Sequence, residues 1–173
     1  MTPIFMKHKH LLQTCFLFSL FFCSQITYGQ SGVLDNSFGT NGSVLTSIVT
    51  GHNDIAQSVS IAPNRKIVVV GNTYDVLGYS HIGVVRYYPD GTLDKTFNNS
   101  GIATIKYGLA NVVIAQPDNN VLIGGALDAG LTNGFGLWRL NSYGTTDSSF
   151  GNNGSKSIAL FNFGSAIGYA MTL

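Results

Sequence analysis

Apolar residues fall along the chain in one long block followed by many short ones. Residues 11–22 are almost wholly apolar, interrupted only by Gln13, Thr14, Cys15 and Ser19. Beyond residue 30 the apolar runs are short and are separated by Gly, Asn, Asp and Pro, a pattern that predicts strands joined by tight turns. One period of the chain holds four strand-like pieces. Residues 44–49 follow an Asn41-Gly42 turn. Across residues 55–62, Ile55, Val59 and Ile61 alternate with Ala56, Ser58, Ser60 and Ala62. Residues 67–70 are continuously apolar, as expected of a strand covered on both faces. Residues 82–88 close on Tyr88-Pro89-Asp90-Gly91, a tetrad suited to a type I turn with Pro fixing φ at its second position.

The pieces recur. Three segments share the phrase Asp-x-x-Phe-x-x-x-Gly, carried by Asp35, Phe38 and Gly42, by Asp94, Phe97 and Gly101, and by Asp147, Phe150 and Gly154. Asp35 and Asp94 are 59 positions apart, and Asp94 and Asp147 are 53 apart, so the spacer changes length as loop insertions would make it. Residues 56–71, with Pro63-Asn64-Arg65-Lys66 leading into Ile67-Val68-Val69-Val70-Gly71, answer residues 110–125, with Pro117-Asp118-Asn119-Asn120 leading into Val121-Leu122-Ile123-Gly124-Gly125. Gly83-Val84-Val85-Arg86-Tyr87 answers Gly136-Leu137-Trp138-Arg139-Leu140. Four short antiparallel strands in roughly 50 residues is the unit of a propeller blade. The expected fold is therefore all-β: tandem four-stranded antiparallel blades of a β-propeller.

The sequence resembles the delta-60 repeat family, a bacterial β-propeller repeat without an assigned general function. The resemblance rests on the Leu-Asp-x-x-Phe-Gly-x-x-Gly phrase at residues 34–42, on residues 63–71, and on residues 86–97 with Pro89-Asp90-Gly91-Thr92-Leu93-Asp94. It covers residues 31–154, with departures where Thr146 replaces Leu and Ser142-Tyr143-Gly144 replaces Pro89-Asp90-Gly91. It implies a propeller in exported or surface proteins and brings no catalytic residues. The chain holds two periods and breaks off soon after the Asp147 phrase, so further repeats of the same protein are expected to be needed to close the ring.

The first block changes the picture of location. Lys7 and Lys9, flanked by His8 and His10, precede the apolar block, and polar Ser24-Gln25 follows it. The block is shorter than the ~20 residues of a spanning helix. Basic, apolar and small-polar segments in that order predict a helical signal peptide over residues 1–29, cut after Thr27-Tyr28-Gly29, with the propeller region over 30–173. The mature product is expected to be secreted or held at the cell surface, with no stable membrane span. Phe22 is too bulky to precede a lipidated Cys23, so a lipoprotein is not expected. Both cysteines, Cys15 and Cys23, lie in the leader, leaving no thiol for a disulfide or metal site.

Charge and composition exclude some partners. Without Lys7 and Lys9, 9 − 2 = 7 basic residues face 8 acidic ones, and no basic stripe exists to follow a nucleic acid. All the acidic residues are Asp, a turn and cap former. Asp90 and Asp94 flank one turn, with Asn98 and Asn99 nearby, but a calcium ion wants six to eight converging oxygens and turn roles suffice for these side chains. His52 and His81 do not occupy matching repeat positions, no pair of carboxylates stands out as acid and base, and no phosphate-cradling loop opens a helix. No catalytic residue, cofactor or metal is expected. Tyr74, Tyr79, Tyr87, Tyr88, Phe135 and Trp138 are expected chiefly to pack between blades, with a stacking surface for sugar or peptide as the alternative. Arg86 and Arg139 each stand eight residues before the Asp of their own phrase, in apolar strand sequence. Each is expected to clamp the end of its strand to the following turn. The resulting reading is an exported, non-catalytic repeat module that serves as scaffold or binding surface for protein or glycan. The alternative is part of a propeller-based enzyme whose site lies in other blades.

Overall fold

The computed structural model describes residues 32–128, 133–159 and 168–172. The expected leader, with Cys15, Cys23 and the cleavage site before Gln30, lies outside the described residues. From residue 34 onward the chain forms one compact unit. It consists of two four-stranded antiparallel sheets. The first is built in the order β1 (Ile55–Ile61), β2 (Ile67–Tyr74), β3 (Ser80–Tyr87) and β4 (Ile102–Lys106). The second repeats it with β5 (Gly108–Ala115), β6 (Val121–Asp128), β7 (Asn133–Leu140) and β8 (Ser155–Ala159). Each sheet is a propeller blade, and the two blades are open rather than closed into a ring.

Two expectations about strands need correcting. Residues 44–49 do not form a strand of the sheet with residues 55–87. The fourth strand is instead β4, which follows the next Asp-x-x-Phe phrase, and β8 follows the third phrase in the same way. A blade therefore straddles its own period. Residues 44–47 occupy the sequence position of β4, but no β3-type strand lies beside them among the described residues, and only bridges from Gly39 and Thr40 to Ser43 form there. The second correction concerns the alternation over residues 55–62. A β-bulge falls between Ala56 and Ser58, and another at the matching place between Ala110 and Val112. In β5 this puts Ala110 and Val113, three residues apart, into the same core. From Ser58 onward the alternation holds, with Ser58 and Ser60 turned toward the second blade.

The core lies between the blades. Val68, Val70, Ile82 and Val84 of the first sheet meet Val113, Val121, Ile123 and Trp138 of the second, all in one cluster that also takes in Phe97. Of the continuous apolar run 67–70, Val68 and Val70 enter this core, whereas Ile67 and Val69 are half-buried and line a cleft on the other face, so that the expected cover is complete on one face only. The inner edge of β5 is satisfied across the interface by side chains. Ser58 Oγ accepts from the Val113 amide at 3.2 Å, Ser60 Oγ from Ala115 at 3.0 Å, and buried Asn72 Oδ1 from Ala110 at 2.8 Å. Edge amides are thus capped without a further strand, which removes a template for unwanted pairing. The opposite face of the first blade is different. Val59 and Ile61 are 61% and 63% exposed, whereas their counterparts Val113 and Ala115 are 5% and 9% exposed. That face borders an apolar cleft of about 400 Å³, partly roofed by Val44 and Ile48.

Candidate functional site

The three Asp-x-x-Phe phrases fold into one loop geometry. In each, the Asp carbonyl accepts the amide of the Phe three residues on, at 2.9 Å for Phe38 and 3.0 Å for Phe97 and Phe150. The Phe carbonyl then accepts the amide of the closing Gly, at 2.9, 2.7 and 2.8 Å for Gly42, Gly101 and Gly154. The residue after Phe is left-handed in all three copies, with φ of 57° at Gly39, 49° at Asn98 and 57° at Gly151. Gly and Asn tolerate that region best, which explains their presence there. The Asp carboxylate binds the residue two positions on twice over, at its amide and its hydroxyl. The hydroxyl contact is 2.6 Å at Ser37, Thr96 and Ser149 alike. These hydroxyls were visible in the sequence as Asp-x-Ser/Thr, yet their role depends on a loop that apolar periodicity does not describe.

The two arginines bind the aspartates of their own phrases. Arg86 Nε donates to Asp94 Oδ2 at 2.6 Å, and Arg139 Nε to Asp147 Oδ2 at 2.7 Å. The backbone reinforces the link, because the Asp94 amide donates to the Arg86 carbonyl at 2.9 Å and the Asp147 amide to the Arg139 carbonyl at 3.0 Å. Each guanidinium also lies over the Phe of its phrase, 4.5 Å from the Phe97 centroid and 4.7 Å from that of Phe150. The environments differ. Arg86 and Asp94 side chains are 4% and 0% exposed, against 24% and 14% for Arg139 and Asp147. Asp94 gains a further cation, Lys66 Nζ at 2.9 Å, where the second blade has Asn120. Burial works against the charge on Asp94, but the Thr96 hydroxyl, Lys66 and Arg86 outweigh it and hold the carboxyl well below the usual carboxylate range. Asp35 has no arginine eight residues before it; it is exposed, and its carboxylate holds the amide and hydroxyl of Ser37.

A joint between repeats was not foreseen from sequence. The amide after Phe reaches the turn of the following repeat: Gly39 N donates to Asp90 O at 2.8 Å, and Asn98 N to Tyr143 O at 2.7 Å. Arg86 Nη1 adds a bond of 2.6 Å to the Ser142 carbonyl of that same turn. Gly144 at the end of the turn packs on the Phe97 ring so closely that a Cβ there would stand 2.7 Å from Cδ2. Arg86 therefore ties its strand to its own loop and to the neighbouring blade at once.

The remaining candidates have other partners. Asp90 Oδ1 is taken by the amide and hydroxyl of Thr92, at 2.9 and 2.7 Å, as an ordinary turn aspartate. Asn98 Nδ2 donates to the Ile102 carbonyl. Among the described residues, no group of three or more His, Cys, Asp or Glu is placed to hold a metal ion. His81 Nε2 lies 3.2 Å from Asp75 Oδ2 and its ring is edge-on to Tyr107, at the β2–β3 end of the first blade. Of the aromatics, Tyr87 and Trp138 are buried, whereas Tyr79, Tyr88 and Phe135 are exposed.

Two stretches of the chain, residues 62–97 and 116–150, match the family model described as a domain of unknown function (DUF5122) beta-propeller. No curated protein matches the chain. Each matched stretch begins at the first turn of a sheet and ends on the Phe of the next phrase, spanning the Arg, the turn and the Asp that form the clamp. Sheet order, clamp and match agree that this chain is built from β-propeller repeats.

Proposed function

We propose that the chain is part of an exported, non-catalytic β-propeller whose repeats serve as a scaffold or as a binding surface for protein or glycan. The observation that carries this reading is the fate of the repeated polar residues. Asp94, Asp147, Arg86 and Arg139 are bound to one another and to loop hydroxyls, so the repeat spends its charged side chains on holding its own loops. The chain's repeats are of the delta-60 kind, a kinship supported by the Leu34 to Gly42 phrase and its copies. Among the described residues no helix is long and apolar enough to cross a membrane. Export rests on the order of basic, apolar and small residues in the first 29 positions. Protein recovered from the medium or envelope of its native host is expected to begin at or near Gln30. N-terminal sequencing that found Met1 retained, or a lipidated Cys23, would overturn export by this route.

The reading also requires more blades than these two. A propeller closes with roughly four to eight blades, each burying its faces on neighbours. Val59 and Ile61 are bare where Val113 and Ala115 are covered. Residues 30–173 produced alone are therefore expected to self-associate or to remain partly unfolded, and the same residues joined to further repeats to sediment as a monomer. Sedimentation velocity over a range of concentrations distinguishes the two. A monomer of residues 30–173 that is stable at every concentration and unfolds in one sharp step would contradict the need for further blades.

A further inference from the structure

The third phrase forms a socket, and we infer that it receives the β-turn of a further repeat of this kind. The inference rests on the propeller reading above and deepens it by naming the contact. In the second phrase, three groups converge on the next turn: the Asn98 amide on Tyr143 O, Arg86 Nη1 on Ser142 O, and the Phe97 ring on Gly144. The third phrase repeats the same groups in the same fold, namely the Gly151 amide, Arg139 and Phe150. Its Arg139 Nε to Asp147 bond, its ring stacking and its left-handed Gly151 match the second copy. Among the described residues nothing takes the place of Ser142, Tyr143 and Gly144 there. The consequence is visible in exposure: Arg139 is 24% exposed where Arg86 is 4%.

The occupant is defined by what the socket offers. Two adjacent turn carbonyls accept from an amide and a guanidinium, and a residue without Cβ lies on the ring. A turn ending in Gly with φ near that of Gly91 and Gly144, at 84° and 83°, supplies all three. A second copy of the chain is a poor source. Both of its turns are already seated, Asp90 on Gly39 and Tyr143 on Asn98, and each would have to leave its own joint first. The continuation of the same propeller is the natural source. Residues 168–172 already lie along the second blade, where Asn111 Nδ2 donates to Gly168 O at 3.1 Å. Gly168-Tyr169-Ala170 there answers Gly108-Leu109-Ala110 at the start of β5.

The test extends the whole chain by one repeat, fusing a copy of residues 114–159 after Leu173, and follows amide hydrogen exchange by NMR. The expected result is that Gly151 exchange slows about tenfold or more, toward that of Asn98, as a buried joint forms. Gly144→Val in the appended copy alone is expected to restore fast exchange at Gly151 while the appended strands stay protected. Protected appended strands with fast exchange at Gly151 would overturn the socket and leave the propeller reading intact. Unprotected appended strands would overturn both. Protection of Gly151 that grows with concentration in the unextended chain would show a second copy in the socket, against the inference.

Discussion

Replacing Asp94 by Ala is expected to lower stability by about 3–5 kcal/mol, because it leaves Arg86 buried without its counter-charge. Arg86→Ala leaves Asp94 with Lys66 at 2.9 Å as its counter-charge and is expected to cost less on that account, although it also removes the bond to Ser142 O that joins the blades. Asp147→Ala is expected to cost clearly less, since both partners in that pair keep access to water. Urea unfolding of the chain joined to further repeats that lack tryptophan, at fixed protein concentration, reads this out through Trp138, which is buried between the sheets. The acid limb gives an independent check. The Asp94 carboxyl is held below its ordinary range, so its contribution is fully present above the unfolded value near ~3.9 and is lost as pH falls toward the folded one. Asp94→Asn is expected to flatten the loss of stability below about pH 4. Equal costs for Asp94→Ala and Asp147→Ala, or an unchanged acid limb in Asp94→Asn, would refute the buried clamp as a stability centre.

The asymmetry between the two clamps also shows what a sequence can and cannot carry. The Arg to Asp spacing of eight residues is the same in both copies, and from it a contact at each was expected. The depth of burial is not in that spacing. Among the described residues a following turn, Ser142-Tyr143-Gly144, covers the guanidinium of Arg86 and none covers that of Arg139. Lys66 adds to the difference, and its partner Asp94 lies 28 positions away, beyond any local pattern. The interblade joint was missed for a related reason. It uses the backbone amides of Gly39 and Asn98 and the carbonyls of Asp90 and Tyr143, and main-chain groups leave no mark on side-chain periodicity. Their one trace was the Gly or Asn after each Phe, required by the left-handed backbone there.

Strand content was legible wherever packing sets a side-chain pattern. The apolar run over 67–70 and the Gly-x-x-Arg segments 83–86 and 136–139 lie inside β2, β3 and β7. The grouping of strands into blades was not legible, because a repeat can be cut anywhere in its period without changing its sequence. Starting the count at the phrase placed residues 44–49 with 55–88. Pairing depends instead on which strand lies beside β3, and that is β4. The bulges escaped notice because Ala56, Ser58, Ser60 and Ala62 alternate without a break on paper. A single extra residue, Gln57 or Asn111, shifts the pairing without any change in composition.

Those bulges set up the second large effect. Gly125→Ala is expected to destabilise the second blade by about 3 kcal/mol, the upper end for forcing volume into a packed site. Gly125 pairs with Ala110 at the edge of the bulge, which folds the β5 backbone over it. A Cβ there would run into the Leu109 carbonyl oxygen, with the Leu109 carbon at 2.9 Å and Ala110 Cα at 3.1 Å. Gly71 in the first blade is the same case, meeting the Ile55 carbonyl and Ala56 Cα. Backbone atoms in a paired strand cannot rotate aside, so the strand must separate to make room. Gly124 is the internal control. A Cβ on it meets only side chains, Val112 Cγ1 at 3.0 Å and Met171 Sδ at 3.3 Å, which can give way. The local readout is the Ala110 amide, bonded to buried Asn72 Oδ1 across the interface at 2.8 Å. Its exchange is expected to quicken in Gly125→Ala and to stay slow in Gly124→Ala, with the urea midpoint falling in parallel. If the two variants unfold at the same midpoint and protect Ala110 equally, the close approach of β5 to β6 is not what demands a glycine at position 125.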